Sequence, residues 1–94
     1  MAKSILEKEK KCWKCGALYD LEEHHIFPGG CRKLSEKYGL KVHLCHKHHN
    51  EPPKGVHFNR EEMEKLQRIG QTAAMKKYGW SIEDFIDIFG RNYL

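Results

Sequence analysis

The sequence predicts a small α+β domain that a bound metal ion stabilises, and three observations support this prediction. Paired metal-binding residues occur twice, as C-x2-C from Cys12 and as C-x2-H from Cys45. Two short strands are predicted between these pairs, one at 21–26 and one at 40–44, where apolar and polar residues alternate. Amphipathic helical patterns follow Asn59. Because 94 residues bury only a modest core, a metal ion is an expected source of stability.

Local signals define the remaining elements of the first half. Residues 1–11 contain four lysines and predict a basic tail, which could include a helical turn around Ile5-Leu6. A single domain is expected at 12–94. A tight knuckle is expected at 12–16 and a loop at 27–30. A short helix is expected at 31–38 and should end at Gly39.

The second half predicts three helices. The first begins at Cys45 and ends at the proline pair 52–53, and a loop covers 54–58. The next two begin at Asn59 and Ser81, and each cap residue has an acidic residue three positions on, as in a capping box. The expected C-terminal stops are Gly79 and Gly90.

The composition favours a nucleic-acid partner over a membrane. The net charge is +4 at pH 7, and the excess of basic residues lies before residue 60, where an anionic partner would bind. No apolar run approaches the roughly 20 residues of a membrane span, and the first residues lack the apolar stretch of a secretory signal. The expected compartment is the cytoplasm, where cysteines paired with histidines favour zinc over disulfides.

The two short pairs combine into one predicted structural zinc site, C-x2-C-x29-C-x2-H. Its ligands are Cys12, Cys15, Cys45 and His48, because structural zinc takes four sulfur or imidazole ligands in a tetrahedron. The alternative is four reduced residues that only pack. The remaining cysteine, Cys31, could replace His48 as a ligand or be a small buried side chain.

Two adjacent histidines, His24 and His25, lie near the end of the first predicted strand. Neighbouring strand residues point to opposite faces, so one ring could hold a metal ion while the other faces a substrate. This arrangement suits hydrolysis, because an imidazole that titrates near neutral pH can activate water. The alternative is a pair of surface histidines, and the five further histidines of the chain argue against it.

Three stretches carry a resemblance to a known family. They are Cys12-x2-Cys15, Glu23-His24-His25-Ile26-Phe27-Pro28 and Leu44-Cys45-x2-His48-His49-Asn50. Together they resemble the HNH, or ββα-metal (His-Me finger), nuclease superfamily. The pattern is similar to small phage-encoded HNH proteins with a zinc knuckle, some of them linked to recombination. The resemblance implies a zinc-stabilised, treble-clef-like ββα-metal core at 12–59, followed by two helices at 60–94.

The resemblance also implies roles for four histidines. His24 would bind a catalytic divalent ion, and His25 would be the general base. His49 would be a further metal ligand. His57 would complete the site, or else contact phosphate or lie on the surface. The catalytic ion would be Mg²⁺, Mn²⁺ or Zn²⁺, distinct from the structural zinc.

The chain departs from the family pattern at two points. The middle Asn of the family would fall near Leu40 or Lys41, neither of which can replace it, and the nearest suitable polar residue is His43. His57 lies eight residues after His49, with prolines between them, rather than one helical turn away.

The predicted function is therefore a metal-dependent endonuclease that hydrolyses phosphodiester bonds in DNA. The expected phosphate contacts are Arg32, Lys33, Lys41 and Lys47. A phage recombinase or other DNA-processing protein would be a partner. The sequence leaves open whether the protein forms a homodimer. The alternatives are a catalytically silent zinc module that binds nucleic acid, and a structural adaptor that docks through its C-terminal aromatic residues.

Overall fold

Two antiparallel strands lie at the centre of the protein in a computed structural model that describes residues 4–27, 29–52 and 55–94. Strands β1 (Leu21–His25) and β2 (Lys41–Cys45) pair with His24 opposite Val42. The α-helices of the described residues are α1 (Arg32–Tyr38), α2 (His46–His49), α3 (Arg60–Tyr78) and α4 (Ile82–Phe89). Short 3₁₀ turns span Gly29–Cys31 and Val56–Phe58. The predicted α+β class is confirmed.

Helix α2 differs most from its predicted length. The sequence predicted a helix that lasts until the proline pair, but α2 ends at His49 after four residues. The backbone of Gly55 packs against that end, and its amide donates to the carbonyl of Glu51 at 2.6 Å. The chain therefore turns back immediately after α2. Pro28 and Lys54 of the predicted loops, Pro53 of the predicted helix stop and residues 1–3 of the predicted tail lie outside the described residues.

The N-terminal segment packs along β2, in contrast to the predicted basic tail. The Ile5 amide donates to the carbonyl of Gly39 at 2.9 Å, and Ile5 and Leu6 pack against the core. The Glu7 carboxylate accepts from both the backbone and the ring of His43, at 2.8 and 2.9 Å. No helical turn forms at Ile5-Leu6. Residues 4–7 therefore belong to the folded structure.

The caps of the two C-terminal helices follow the predicted pattern. The Asn59 side chain accepts from the Glu62 amide at 3.2 Å, and Ser81 forms a full capping box with Asp84. The stops at Gly79 and Gly90 are confirmed, because both adopt the left-handed conformation that glycine tolerates best. The Glu62 carboxylate does not close a capping box but pairs with Lys14 of the knuckle, which ties α3 to that segment.

The C-terminal aromatic residues form the core. Phe27, which follows β1, is 1% exposed, and its ring centroid lies 5.5 Å from Phe85, 5.0 Å from Phe89 and 4.7 Å from Tyr93. Helix α3 approaches this cluster closely, since a Cβ at Gly70 would lie 2.8 Å from the side chain of Ile26. Helices α3 and α4 therefore support the strands that carry the histidine pair.

We expect Phe27→Ala to lower the free energy of unfolding by about 3–5 kcal/mol, because it leaves a cavity among three aromatic rings. Phe58→Ala is the matched control, since Phe58 is 58% exposed and its loss should change stability by at most about 0.5 kcal/mol. Urea unfolding followed by circular dichroism measures both. Equal losses for the two variants would contradict this description of the core.

Candidate metal centres

The four predicted zinc ligands meet in one cluster, which could hold a metal ion. The donor atoms of Cys12, Cys15, Cys45 and His48 all lie within 4.8 Å of one another. The sulfurs of Cys15 and Cys45 are 3.8 Å apart, and the Cys45 sulfur lies 3.1 Å from His48 Nδ1. A tetrahedron with metal–sulfur bonds of about 2.3 Å has edges of about 3.8 Å, so these spacings fit tetrahedral zinc.

Backbone hydrogen bonds build this cluster from two distant segments. The Gly16 amide donates to the Cys12 carbonyl at 2.9 Å and closes the knuckle turn, and Gly16 has the positive φ of 76° that the turn needs. The Trp13 amide donates to the His43 carbonyl at 2.8 Å and fastens the knuckle to β2. Cys45 ends β2, and His48 follows in the single turn of α2.

The thiols of this cluster differ in acidity. Burial would raise the pKa of Cys12, but hydrogen bonds from the backbone of Cys45, Cys15 and Lys14 outweigh burial and lower it to about 7. Burial raises the pKa of Cys45, and the neighbouring thiols add to this effect. A cation between them would favour the thiolate at both positions, because a bound metal stabilises a deprotonated ligand.

Cys31 lies away from this cluster. Its Sγ donates to the Phe89 carbonyl at 3.4 Å, at the junction between α1 and α4. The structure therefore places His48, and not Cys31, with the other three cysteines.

A second cluster joins three of the predicted catalytic-site histidines. The ring centroid of His24 lies 5.1 Å from that of His49 and 5.2 Å from that of His57. One nitrogen of each ring lies within 4.8 Å of a nitrogen of the other two. His24 is 1% exposed, and its Nε2 has no hydrogen-bond partner among the described residues. The Nε2 atoms of His49 and His57 are 2.9 Å apart. A buried nitrogen beside two further nitrogens fits a cation held by three imidazoles.

The carboxylate of Glu22 orients one ring of this cluster. His49 Nδ1 donates to Glu22 Oε1 at 2.8 Å, which leaves the lone pair of the neutral ring on Nε2, facing the other two histidines. The hydrogen bond from His49, followed by the one from His46, lowers the pKa of Glu22 to about 2. Glu22 therefore stays ionised and resembles the outer-shell carboxylates that orient histidine ligands in metal sites.

Two rings of this cluster, those of His24 and His57, favour the neutral form that metal binding requires. Burial, followed by repulsion from His49 and His57, lowers the pKa of His24 to about 3. Burial also lowers the pKa of His57, with His49 as the second cause.

His25 lies in a different environment, as expected for the next residue on a strand. Its Nε2 donates to Glu36 Oε2 of α1 at 2.9 Å, and Glu36 also accepts from Lys41 Nζ at 2.9 and 3.0 Å. The Lys41 ammonium, followed by His25, lowers the pKa of Glu36. Glu23, His25 and Glu36 are spaced closely enough to hold a metal ion, but Lys41 already supplies the cation that balances their carboxylates.

The four histidines of the predicted catalytic site open onto one pocket of about 290 Å³, which Arg32 also lines. His25 reaches it from the end of β1, and His57 reaches it from the 3₁₀ turn before α3. The pocket thus combines three imidazoles that could share a metal ion, a separately held imidazole, the carboxylate of Glu23 and one guanidinium.

The predicted phosphate contacts have different surroundings. Arg32 lines the pocket, and Lys33 and Lys47 are exposed. The Lys41 side chain is only 8% exposed and pairs with Glu36 and Glu23, so the expectation that it faces phosphate is corrected.

His43, which the resemblance offers as a replacement for the family's middle Asn, does not line the pocket. Its ring donates to Glu7 on the N-terminal segment, outside the pocket. The sequence did not reveal the two carboxylates beside the site, Glu22 and Glu36. Glu22 could have been found, because it lies two residues before His24 and therefore shares its face of the strand. Glu36 reaches His25 only through the packing of α1.

No family model, curated protein or solved structure matches the chain. None of the helices that the structure describes is both long and apolar enough to cross a membrane. The resemblance to HNH nucleases stays a prediction.

Replacing a ligand of the cysteine cluster should remove the metal and the fold together. Structural zinc sites contribute about 10–16 kcal/mol of apparent binding free energy, which is comparable to the whole stability of a small domain. We expect purified protein to hold about one tightly bound zinc ion per chain, and Cys12→Ser to lose both the ion and the folded circular dichroism spectrum. Cys31→Ser is the matched control and should retain both. A folded, zinc-free Cys12→Ser protein would sink the assignment.

The geometry of the imidazole cluster, which consists of His24, His49 and His57, should depend on the absence of a side chain at residue 55. A Cβ at Gly55 would lie 2.8 Å from the Glu51 amide nitrogen and 2.8 Å from the His49 carbonyl oxygen, so Gly55→Ala must displace the turn that carries His57. We expect weaker binding of a Co²⁺ probe to the zinc-loaded protein, measured by its visible absorption. Gly30→Ala, where the added methyl meets nothing within 4 Å, should bind Co²⁺ as the wild type does. Unchanged affinity in Gly55→Ala would argue against His57 as a ligand.

Proposed function

We propose that the protein is a metal-dependent endonuclease of the HNH type that hydrolyses phosphodiester bonds in DNA. The observation that carries this proposal is the buried Nε2 of His24, unpartnered among the described residues and facing His49 and His57. Three protein ligands in an open pocket leave coordination positions for water and substrate, as catalytic zinc sites do. A purely structural site would instead be closed by a fourth side chain.

His25 is the proposed general base. The Glu36 carboxylate can only accept a hydrogen bond, so it holds the proton of the neutral His25 ring on Nε2 and leaves a lone pair on Nδ1 for a water molecule. Glu36 thereby performs the orienting task that the resemblance assigns to the missing Asn. Lys41 keeps Glu36 in place and stabilises its negative charge.

His24, His49 and His57 would hold the catalytic ion, with Glu22 fixing the ring of His49. When bound, this ion would stabilise negative charge on the phosphoryl and leaving oxygens. Arg32 lines the same pocket and can contact a phosphate oxygen through its guanidinium.

The ligand chemistry favours a transition metal. Mg²⁺ prefers carboxylate and water oxygens, whereas imidazole nitrogens suit Zn²⁺, Ni²⁺, Co²⁺ and, more weakly, Mn²⁺. Among the ions that the sequence left open, we therefore propose Mn²⁺ or Zn²⁺ over Mg²⁺. The cysteine cluster would hold a structural zinc within a treble-clef-like ββα-metal core, and the cytoplasm is the compartment that suits its thiols.

A catalytically silent zinc module that binds nucleic acid is the second candidate. The observation that favours it is the engagement of both His43 and Lys41 elsewhere, so that neither occupies the role of the family Asn. The two candidates differ in one result, which is whether the phosphodiester bond breaks.

The test is conversion of supercoiled to nicked plasmid across a divalent-ion titration. His25→Ala should lower the rate by about 100- to 10,000-fold at every ion concentration, because added metal cannot replace a base. His49→Ala should be partly rescued by excess Mn²⁺, because it weakens only ion binding. His43→Ala is the matched histidine control outside the pocket and should cleave like the wild type.

Zinc content, circular dichroism and DNA affinity should be unchanged in His25→Ala. The enzyme proposal fails if the wild type nicks neither duplex nor single-stranded DNA with any of Mg²⁺, Mn²⁺, Co²⁺, Ni²⁺ or Zn²⁺. The silent module would then take its place.

A further inference from the structure

A basic groove adjoins the imidazole cluster and extends away from it. The groove has a volume of about 680 Å³ and is lined by the 3₁₀ turn Val56–Phe58, the first turns of α3 and the C-terminal residues 91–94. His57 lines both this groove and the pocket of the histidine cluster. A chain lying in the groove would therefore lead directly to the proposed site of hydrolysis.

Three arginines give the groove its charge. Arg60 and Arg68 lie eight residues apart on α3, with Glu64 between them, so they share one stripe of the helix. Arg91 comes from the opposite wall. Arg60 pairs with Glu64 at 3.1 Å, but its side chain is 93% exposed, so this pair costs little to exchange for a phosphate. Among the lining side chains, three guanidiniums stand against one carboxylate, so these side chains carry a net positive charge.

A buried glutamine fixes the second wall of the groove. Gln71 of α3 is fully buried, and its side chain accepts from the Tyr93 amide at 2.6 Å and donates to Asn92 Oδ1 at 2.8 Å. The guanidinium of Arg91 lies 4.7 Å from the centre of the Tyr93 ring. The C-terminal residues are thus held in place, and Arg91 has a defined position before any ligand binds.

The groove also presents an exposed aromatic ring beside the proposed reaction site. Phe58 follows His57 directly, lines the groove and is 58% exposed. An exposed ring among arginines is the arrangement that binds single strands, because the ring stacks on a base while the cations contact the backbone. In a duplex the faces of each base are already covered by stacking, which leaves no equivalent surface for Phe58.

We propose that this groove binds an unpaired nucleic-acid strand that flanks the cleavage site, with Phe58 stacked on a base and the three arginines in contact with phosphates of the strand. The inference rests on the proposed function for the position of the cut, but not for the binding itself. Arg60 and Arg68 are about 12 Å apart along the helix axis, so they would contact phosphates of different nucleotides. The substrate would then be DNA with a single-stranded flank rather than uninterrupted duplex.

The experiment measures fluorescence anisotropy of labelled DNA with zinc-loaded protein in the His25→Ala background, which prevents cleavage. The two probes are a blunt duplex and the same duplex with a twelve-nucleotide single-stranded tail. We expect the tailed probe to bind more tightly. Phe58→Ala should reduce this preference by roughly 5- to 100-fold, since it removes one stacked base. Arg68→Glu should also reduce it.

Two controls match these variants. Tyr19→Ala removes a ring that is 75% exposed outside the groove, and Lys76→Glu makes the same change of charge on an exposed face of α3. Both should retain the preference for the tail. Zinc content and circular dichroism show that every variant is folded.

Three outcomes would overturn the proposal. These are no preference for the tail in the parent protein, equal weakening of both probes by Phe58→Ala, and an effect of Lys76→Glu as large as that of Arg68→Glu. Because binding is read without cleavage, this result is independent of nicking. If the protein binds the tail through the groove but never nicks DNA, the groove proposal is supported and the endonuclease proposal is refuted. If it nicks DNA but the groove variants keep the preference for the tail, the endonuclease proposal is supported and the groove proposal is refuted.

Discussion

The cluster of Cys12, Cys15, Cys45 and His48 is the constraint on which the rest of the structure depends. It joins the N-terminal knuckle to the junction of β2 and α2, next to the backbone hydrogen bond from Trp13 to His43. Helix α2 has only four residues and cannot be stable in isolation. Its last two residues serve different clusters, since His48 belongs to the cysteine cluster and His49 to the imidazole cluster. A metal held by His48 would therefore also fix the position of His49.

Successive side chains of β1 point to opposite faces of the sheet, which places His24 and His25 in different surroundings. His24 points to the face that it shares with Val42 and Leu44, where burial keeps its ring neutral and its Nε2 without a partner among the described residues. His25 points to the other face, where Glu36 and Lys41 hold it by hydrogen bonds. A carboxylate thus orients an imidazole on each side of the strand, since Glu22 holds the ring of His49 and Glu36 holds the ring of His25.

Much of this arrangement was readable from the sequence, because it is encoded in short spacings. The C-x2-C and C-x2-H pairs, the histidine pair, and the caps at Asn59 and Ser81 are local signals, and each corresponds to a feature of the structure. Residues that act through tertiary packing were not predicted. Glu36 reaches His25 because α1 folds onto the strands, and the packing of Ile5 on β2 depends on a backbone bond to Gly39. The groove with Arg60 and Arg91 likewise arises from segments far apart in the chain.

The most direct test of this account is an anomalous-scattering experiment on crystals of the zinc-loaded protein soaked in Mn²⁺. Data collected above and below the zinc absorption edge distinguish the two ions. The account predicts a zinc peak among Cys12, Cys15, Cys45 and His48 that disappears below the edge, and a separate manganese peak among His24, His49 and His57 that remains. A single peak at the cysteine cluster, with the three imidazoles hydrogen-bonded to one another or to water, would contradict it.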